Sequence, residues 1–285
     1  MLSKLLFTLR SAFVCTLSLI ASATVAQTTI HVGAGQAYTT IQAGIDAASN
    51  GDTVLVAPGT YNENINFYNA TIAVISAEGA AKTIIQGNVA TAPVVTMDSP
   101  GDRRNVLNGF TIRPVRDPSP SVSFPDLAIT NSSPTILNNV ITNNPCYDIT
   151  VNNGGPLIQG NVISDTDASN DGGCGSFTGS AIILFGAQFV ESALPPVLVG
   201  NKIVHNQHAG IFGGGGILNW SAPSVVIEGN VFAENASTTG AGGAIVDQSY
   251  FSTVIAQNLF YANAAKYGGG AVVVGVGAHF CHSRG

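Results

Sequence analysis

Residues 226–235 read VIEGNVFAEN and residues 254–263 read VIAQNLFYAN, one pattern written twice at a constant offset. Val226 and Ile227 return as Val254 and Ile255, Asn230 as Asn258, Phe232 as Phe260 and Asn235 as Asn263. Gly242, Gly243 and Ala244 recur as Gly269, Gly270 and Ala271, one position sooner than that offset requires, so one turn has lost a residue while the strands kept theirs. Upstream, Val197, Leu198, Asn201, Ile203 and Asn206 fit the same template, with Gly215 and Gly216 in place of the glycine pair. Leu157, Ile158, Asn161 and Ile163 fit next, then Ile136, Asn139, Ile141 and Asn144, and finally Val106, Leu107 and Ile112 with Phe110 in the Asn slot. The six anchors stand at 110, 139, 161, 201, 230 and 258, and their spacing is shortest from 139 to 161 and longest from 161 to 201. A constant apolar motif joined by variable loops is the signature of a solenoid, whose repeats bury their apolar side against one another.

The runs at 53–57, 72–75, 83–85 and 94–97 are short, β-branched and bounded by Gly, Asn, Asp or Pro, which makes them strands. Strands this short build a stable sheet when stacked in parallel, coil on coil, at about 4.8 Å. The expected fold is therefore all-β, a parallel β-helix over residues 27–274. Asn139, Asn161, Asn201, Asn230 and Asn258 recur at one slot per coil, where stacked amides bond to each other and to the turn backbone. They are expected to be a structural ladder and not chemistry. Ahead of the coils, residues 38–50 predict a short helix with Thr39 or Thr40 as cap, Ile41, Ile45 and Ala48 on one face, and Gly51 as its stop. Such a helix covers the open end of a stack, which otherwise exposes its core and a row of unpaired backbone groups.

Composition limits the setting. Residues 1–26 carry Lys4 and Arg10, then an apolar run from Ala12 to Ile20, then small residues, as a secretory signal peptide does. Cleavage after Ala23 and after Ala26 fit equally, and the apolar run is shorter than the roughly 20 residues of a membrane span. Removing this segment turns 10 cations against 16 anions into 8 against 16, net −8. A mildly acidic chain without a basic run offers nothing to nucleic acid. Charged residues are only 9% of the chain, so its polar surface is Asn, Ser, Thr and Gly. Export also permits a disulfide, and Cys146 and Cys174, separated along the chain by about one coil, are candidates for it. That pairing leaves Cys281 single. Secretion, to the outside, the cell surface or the periplasm, is the expectation.

The stretch from Thr39 to Ala48, followed by Gly51, Asp52, Thr53, Val54, Leu55, Val56, Ala57, Pro58, Gly59, Thr60 and Tyr61, resembles the opening of right-handed parallel β-helix proteins of the pectin-lyase-like group. With Lys82, Thr83, Ile84, Ile85, Gln86 and Gly87 it also resembles the opening of pectin methylesterases. Phe232 with Asn235, Phe260 with Asn263, and residues 242–245 look like the repeats of polymorphic outer-membrane proteins, which are surface-displayed passengers. The esterase resemblance implies aspartates on neighbouring coils, one preceded by glutamine, with an arginine and glutamines around an oxyanion. No Gln-Asp pair stands where this requires it. A polygalacturonase-like site requires Asp-Asp and Gly-His-Gly, and Asp-Asp does not occur.

Several clusters remain as candidates. Asp98, Asp102, Arg103, Arg104, Arg113, Arg116 and Asp117 gather half of the remaining cations between positions 103 and 116. Arg113, Arg116 and Asp117 are the candidates there for lyase-type chemistry and for holding a sugar acid, against the plainer reading of solvated loops. Asp165, Asp167 and Asp171, with Asn170, offer the oxygen ligands calcium prefers, in what is otherwise an ordinary polar insertion. His205 and His208, with Glu228 one coil above, are candidates for a general base or a transition-metal site. Trp220 with Tyr250, Phe251 or Tyr267 offers a platform for stacking sugar rings. Two function classes follow: a binding or adhesive solenoid for polysaccharide or cell-surface glycan, which the missing catalytic sets favour, and a polysaccharide lyase or carbohydrate esterase. Local chemistry is expected in the unequal intervals, above all the longest one, from 161 to 201. After Val274 the pattern dissolves, and residues 275–285 are expected to be an irregular tail of a fragment or a shifted frame.

Overall fold

The computed structural model describes residues 27–68, 70–98, 103–115, 124–168, 180–186, 194–210 and 213–275, and the backbone at 280–281. The chain winds through three parallel sheets in turn, and a fourth joins from the middle of the stack onward. The first sheet has ten strands, the second and third eight each, and the fourth four. Every strand pairs in parallel with its counterpart one coil away, and a parallel crossover within a sheet is right-handed in nearly all proteins. This is a right-handed parallel β-helix.

The register follows the repeat. In the first sheet Leu107, Ile136, Ile158, Leu198, Ile227 and Ile255 lie over one another. In the second, Ile112, Ile141, Ile163, Ile203, Phe232 and Phe260 do the same. Each column points inward, and the rings of Phe232 and Phe260 stack at 5.2 Å and 10°. Like side chains stack on like at the coil spacing, so the core is a set of continuous apolar columns. Burial of these columns supplies most of the stability, at roughly 25 cal/mol per Å² of apolar surface removed from water.

The helix is shorter than expected, Ile41–Ala47. Thr40 caps it by accepting from Ala43 N at 3.3 Å. The Glu63 carboxylate, from the next segment of chain, accepts from Ile41 N at 2.7 Å and from Gln42 N at 2.9 Å, which suits the positive end of the helix. Beyond it Asp52 accepts from Ser49 N and Thr28 N, both at 2.8 Å, and residues 49–52 form a turn closed by Asp52 N donating to Ser49 O. Ile41 and Ile45 are buried, and a Cβ on Gly44 would meet Val32 Cγ2 at 2.5 Å, so only glycine lets the helix settle onto the first coil. At the other end Phe280–Cys281 pairs with Thr253 and Val254, a short strand where the sequence led us to expect only an irregular tail.

Two turns per coil carry asparagines inward. Where the chain leaves the first sheet, Asn139, Asn161, Asn201, Asn230 and Asn258 form an unbroken ladder, each Nδ2 donating to the next Oδ1 at 2.9–3.1 Å. Asn201 is fully used: Nδ2 donates to Ile158 O and Asn230 Oδ1, and Oδ1 accepts from Asn161 N and Nδ2. Where the chain leaves the second sheet, Asn206, Asn235 and Asn263 form another ladder, and Asn206 Oδ1 accepts from Thr166 N. Buried turns need every donor and acceptor paired, and a primary amide supplies two of each.

Candidate binding face

The outer side of the second sheet is where polar side chains line up. Its strands run apolar inward and mixed outward, with Ile84, Val140, Val162, Val231 and Leu259 among the outward residues, and the outward position at their end forms a row: Gln86 opposite Arg113, then Thr142, Ser164, Val204, Ala233 and Tyr261. The next residue of each coil forms a second row beside it. There Asn143, Asp165, His205, Glu234 and Ala262 have φ of 67, 60, 58, 56 and 51°, all in the left-handed region. That conformation bends the chain sharply before the ladder residue, so the side chain at this position stands outside while its successor goes in.

Hydrogen bonds tie the two rows. Ser164 Oγ donates to Asp165 Oδ2 at 2.8 Å, and Thr142 Oγ1 to the same oxygen at 3.3 Å. Asp165 Oδ1 lies 3.8 Å from His205 Nδ1, and Glu234 Oε2 lies 3.4 Å from His205 Nε2. The imidazole is thus sandwiched between carboxylates from the coil below and the coil above, in ion pairs that exist when it is protonated. All three side chains are about half exposed. Since different ring nitrogens face the two acids, one metal ion cannot take all three groups through a single imidazole nitrogen. Among the described residues no three His, Cys, Asp or Glu side chains are grouped to hold a metal ion.

Toward the helix end, Gln86, Arg113, Pro114 and Asn143 line a shallow cleft of about 290 Å³. Gln86 Nε2 donates to Pro114 O at 2.6 Å, holding the cleft wall. Arg113 is half buried, and its Nε is shut from solvent with no hydrogen-bond partner. An unbonded buried donor on a cation is unfavourable, and it leaves the guanidinium without compensation at that atom.

The remaining candidates disperse. Arg103 and Arg104 precede the first-sheet strand Val106–Asn108, and Arg113 ends the second-sheet strand Thr111–Arg113, so the arginine cluster is divided by a turn of the coil. Arg103 Nη2 donates to Pro195 O at 3.0 Å, and Arg104 lines a separate cleft of about 490 Å³ with Gln27, Asn50 and Thr71. Asp102, Arg116, Asp117, Asn170, Asp171 and Cys174 lie outside the described residues. Asp167 opens a fourth-sheet strand opposite Gln207, and Thr166 turns inward between it and Asp165. Cys146 is buried and disulfide-bonded. Glu228 is no neighbour of His205, because it ends a first-sheet strand opposite Val199, and His208 is buried with a ring nitrogen accepting from Gly210 N. Trp220 and Tyr250 follow the third-sheet strands of adjacent coils, whereas Tyr267 ends the fourth-sheet strand that precedes the third sheet. Of the partners expected for Trp220, Tyr250 therefore follows the neighbouring coil's strand and Tyr267 stands apart, with Lys266 Nζ over its ring at 5.2 Å.

Asn143 and Glu234 belong to the face although no reading of the sequence named them. The signal was present: each stands immediately before an asparagine, as His205 does. Asp126 and Asp148 were also missed, and they are aspartates on neighbouring coils, since the residues that follow them, Leu127 and Ile149, pair in register. Both are completely buried, so a sugar does not reach them as it would a catalytic pair.

Among solved structures the chain is similar to a pectin methylesterase from carrot, over 92% of this chain and 90% of that one, with a TM-score of 0.53 and 13% sequence identity. At that identity the likeness shows the fold, and this is a protein of the parallel β-helix class. No protein-family model matches the chain, and no curated protein sequence does. Among the described residues no helix is long and apolar enough to cross a membrane.

Proposed function

We propose that this chain is a secreted or surface-displayed β-helix protein that holds a polysaccharide or cell-surface glycan along the outer face of its second sheet. The observation that carries the reading is the double row from Gln86 and Arg113 through Asn143, Asp165, His205 and Glu234 to Tyr261. Its groups recur once per coil, at about 4.8 Å, a spacing comparable to the length of a sugar ring. A polymer laid along the helix axis meets hydrogen-bonding groups in register with its units. The Arg113 guanidinium lining the cleft suits an acidic sugar, and the exposed Tyr261 ring suits stacking on a sugar face. The likeness to a carbohydrate-active neighbour agrees with a polysaccharide as partner, and secretion rests on the leading segment 1–26.

A second reading, a polysaccharide-degrading enzyme of the lyase or esterase kind, draws on one specific feature, the His205 imidazole between two carboxylates. The deciding experiment tests the protein against neutral and uronate-containing polysaccharides, with and without calcium, and records both retention and product. Retention without product, lost in Arg113→Ala and kept in Trp220→Ala, supports binding on the second sheet. Product that needs His205 moves the protein to the enzyme reading, and dependence on calcium assigns the ion a role. Retention lost only in Trp220→Ala moves the binding face to the third sheet.

A further inference from the structure

Asp126 and Asp148 have no part in the face just described. They precede the third-sheet strands Leu127–Thr130 and Ile149–Asn152, one coil apart, and neither has any exposed surface. In the other coils this column holds Asn64, Val94, Ala181, Gly216, Ala244 and Ala271, because Ile65, Val95, Ile182, Ile217, Ile245 and Val272 pair in line with Leu127 and Ile149. The turn is therefore built without a carboxyl in those coils, and the coil itself does not require the acids.

The bonding leaves each acid half satisfied. Asp126 Oδ1 accepts from Asn144 Nδ2 at 3.0 Å, and Asp148 Oδ2 accepts from Thr166 Oγ1. Asp126 Oδ2 and Asp148 Oδ1 are buried and have no partner. Each carboxyl thus has one bonded and one unbonded oxygen, on adjacent coils of one column. Burying two carboxylates without a cation is prohibitive, and a proton between the unbonded oxygens removes one charge and supplies the missing hydrogen bond. We propose that Asp126 and Asp148 share a proton, forming a lock between neighbouring coils that holds in acid and weakens as the proton is lost.

The surroundings agree. Burial raises both carboxyls well above the ordinary aspartate range, and each is raised further by a nearby acid, Asp148 acting on Asp126 and Asp165 acting on Asp148. The Asn144 side-chain amide at Asp126, and the Thr166 hydroxyl and Asn144 backbone N–H at Asp148, pull the other way without cancelling the burial. Among the described residues Asp165 is the outside charge that acts on the pair. The sign follows from the raised folded value: stability is complete below the unfolded aspartate range near ~3.9 and is lost as pH rises through the folded value.

Asp126→Asn imitates the protonated state permanently, since its amide oxygen still accepts from Asn144 and its NH2 faces Asp148 Oδ1. Thermal unfolding from about pH 4 to about pH 8 is compared for the parent, Asp126→Asn and the exposed control Asp98→Asn. The expected result is a midpoint several degrees higher in Asp126→Asn at the alkaline end, convergence with the parent in acid, and no change of slope in the control. Infrared spectra of the parent at neutral pH are expected to show a protonated-carboxyl C=O band that Asp126→Asn,Asp148→Asn lacks. Absence of that band in the parent overturns the proposal even if no variant folds. So does an unchanged slope in Asp126→Asn, or a parent midpoint that falls on adding a calcium chelator while that of Asp126→Asn,Asp148→Asn does not, which would put a cation between the two oxygens.

Discussion

Where the chain leaves the first sheet it bends through Gly109, Asn138, Gly160, Gly200, Gly229 and Gln257, and where it leaves the second it bends through Asn143, Asp165, His205, Glu234 and Ala262, all with positive φ. An asparagine ladder lies behind both turns, so the backbone device is the same. The occupants differ. The first turn uses glycine in most coils, for which the left-handed conformation is free of steric strain. These five positions of the second use none, although that conformation disfavours an L residue by roughly 1–2 kcal/mol, with Asn and Asp suffering least. His205 and Glu234 therefore stand where glycine would be easier, and they stand on the face proposed to bind glycan. Strain kept in one of two equivalent turns is what the proposed use of its side chains predicts.

The largest effect tests what the turns share. Asn201→Ala removes both amide donors and both acceptor positions from the middle of the first ladder and strands Asn161 N and Ile158 O. Unsatisfied buried groups of this kind predict a loss of about 3 kcal/mol or more, measured by urea unfolding. A loss well under about 1 kcal/mol would mean that the ladder is decoration. The next tests separate the turns. Gly229 has open space around its missing Cβ, so Gly229→Ala isolates the backbone term and is expected to destabilise by about 1 kcal/mol. Glu234→Gly is expected to stabilise by about the same amount while weakening glycan retention, a trade that thermal unfolding and affinity electrophoresis read together. If Glu234→Gly gains stability and retention is unchanged, the comparison loses its functional meaning. The smallest effect is expected for Asn143→Gly, within about 0.5 kcal/mol, because asparagine tolerates this conformation.

Much of this architecture was legible. The anchors read from the sequence are the residues that stack, down to Phe110, whose N–H bonds Asn139 Oδ1 at the foot of the ladder. The face was legible only in pieces. Arg113, Asp165 and His205 each stood out, but as members of three separate clusters, and the clusters were grouped by nearness along the chain. In a solenoid, nearness along the chain misleads beyond a few positions. Arg103 is close to Arg113 in the chain yet a turn away from its face, while His205 is a whole coil of chain from Asp165 and beside it. Of the partners expected for Trp220 in an aromatic platform, Tyr267 is set apart for the same reason, because Tyr250 and Tyr267 stand at opposite ends of the third-sheet strands.

The sequence by itself determined the coil: which residues point inward, where each turn falls, and that identical columns of Ile, Val, Phe and Asn stack. It could do so because a parallel stack places equivalent positions at one fixed spacing, so that the repeat in the chain is the repeat in space. Only the tertiary structure decided which outward residues share a face and which acids are sealed from water. Those depend on loops of unequal length, and the contrast between the short interval 139–161 and the long one 161–201 erases the relation between distance along the chain and distance across the surface. Asp126 and Asp148 show the consequence most plainly, as two unremarkable acids in the chain that become a buried pair once the coils are laid one upon the other.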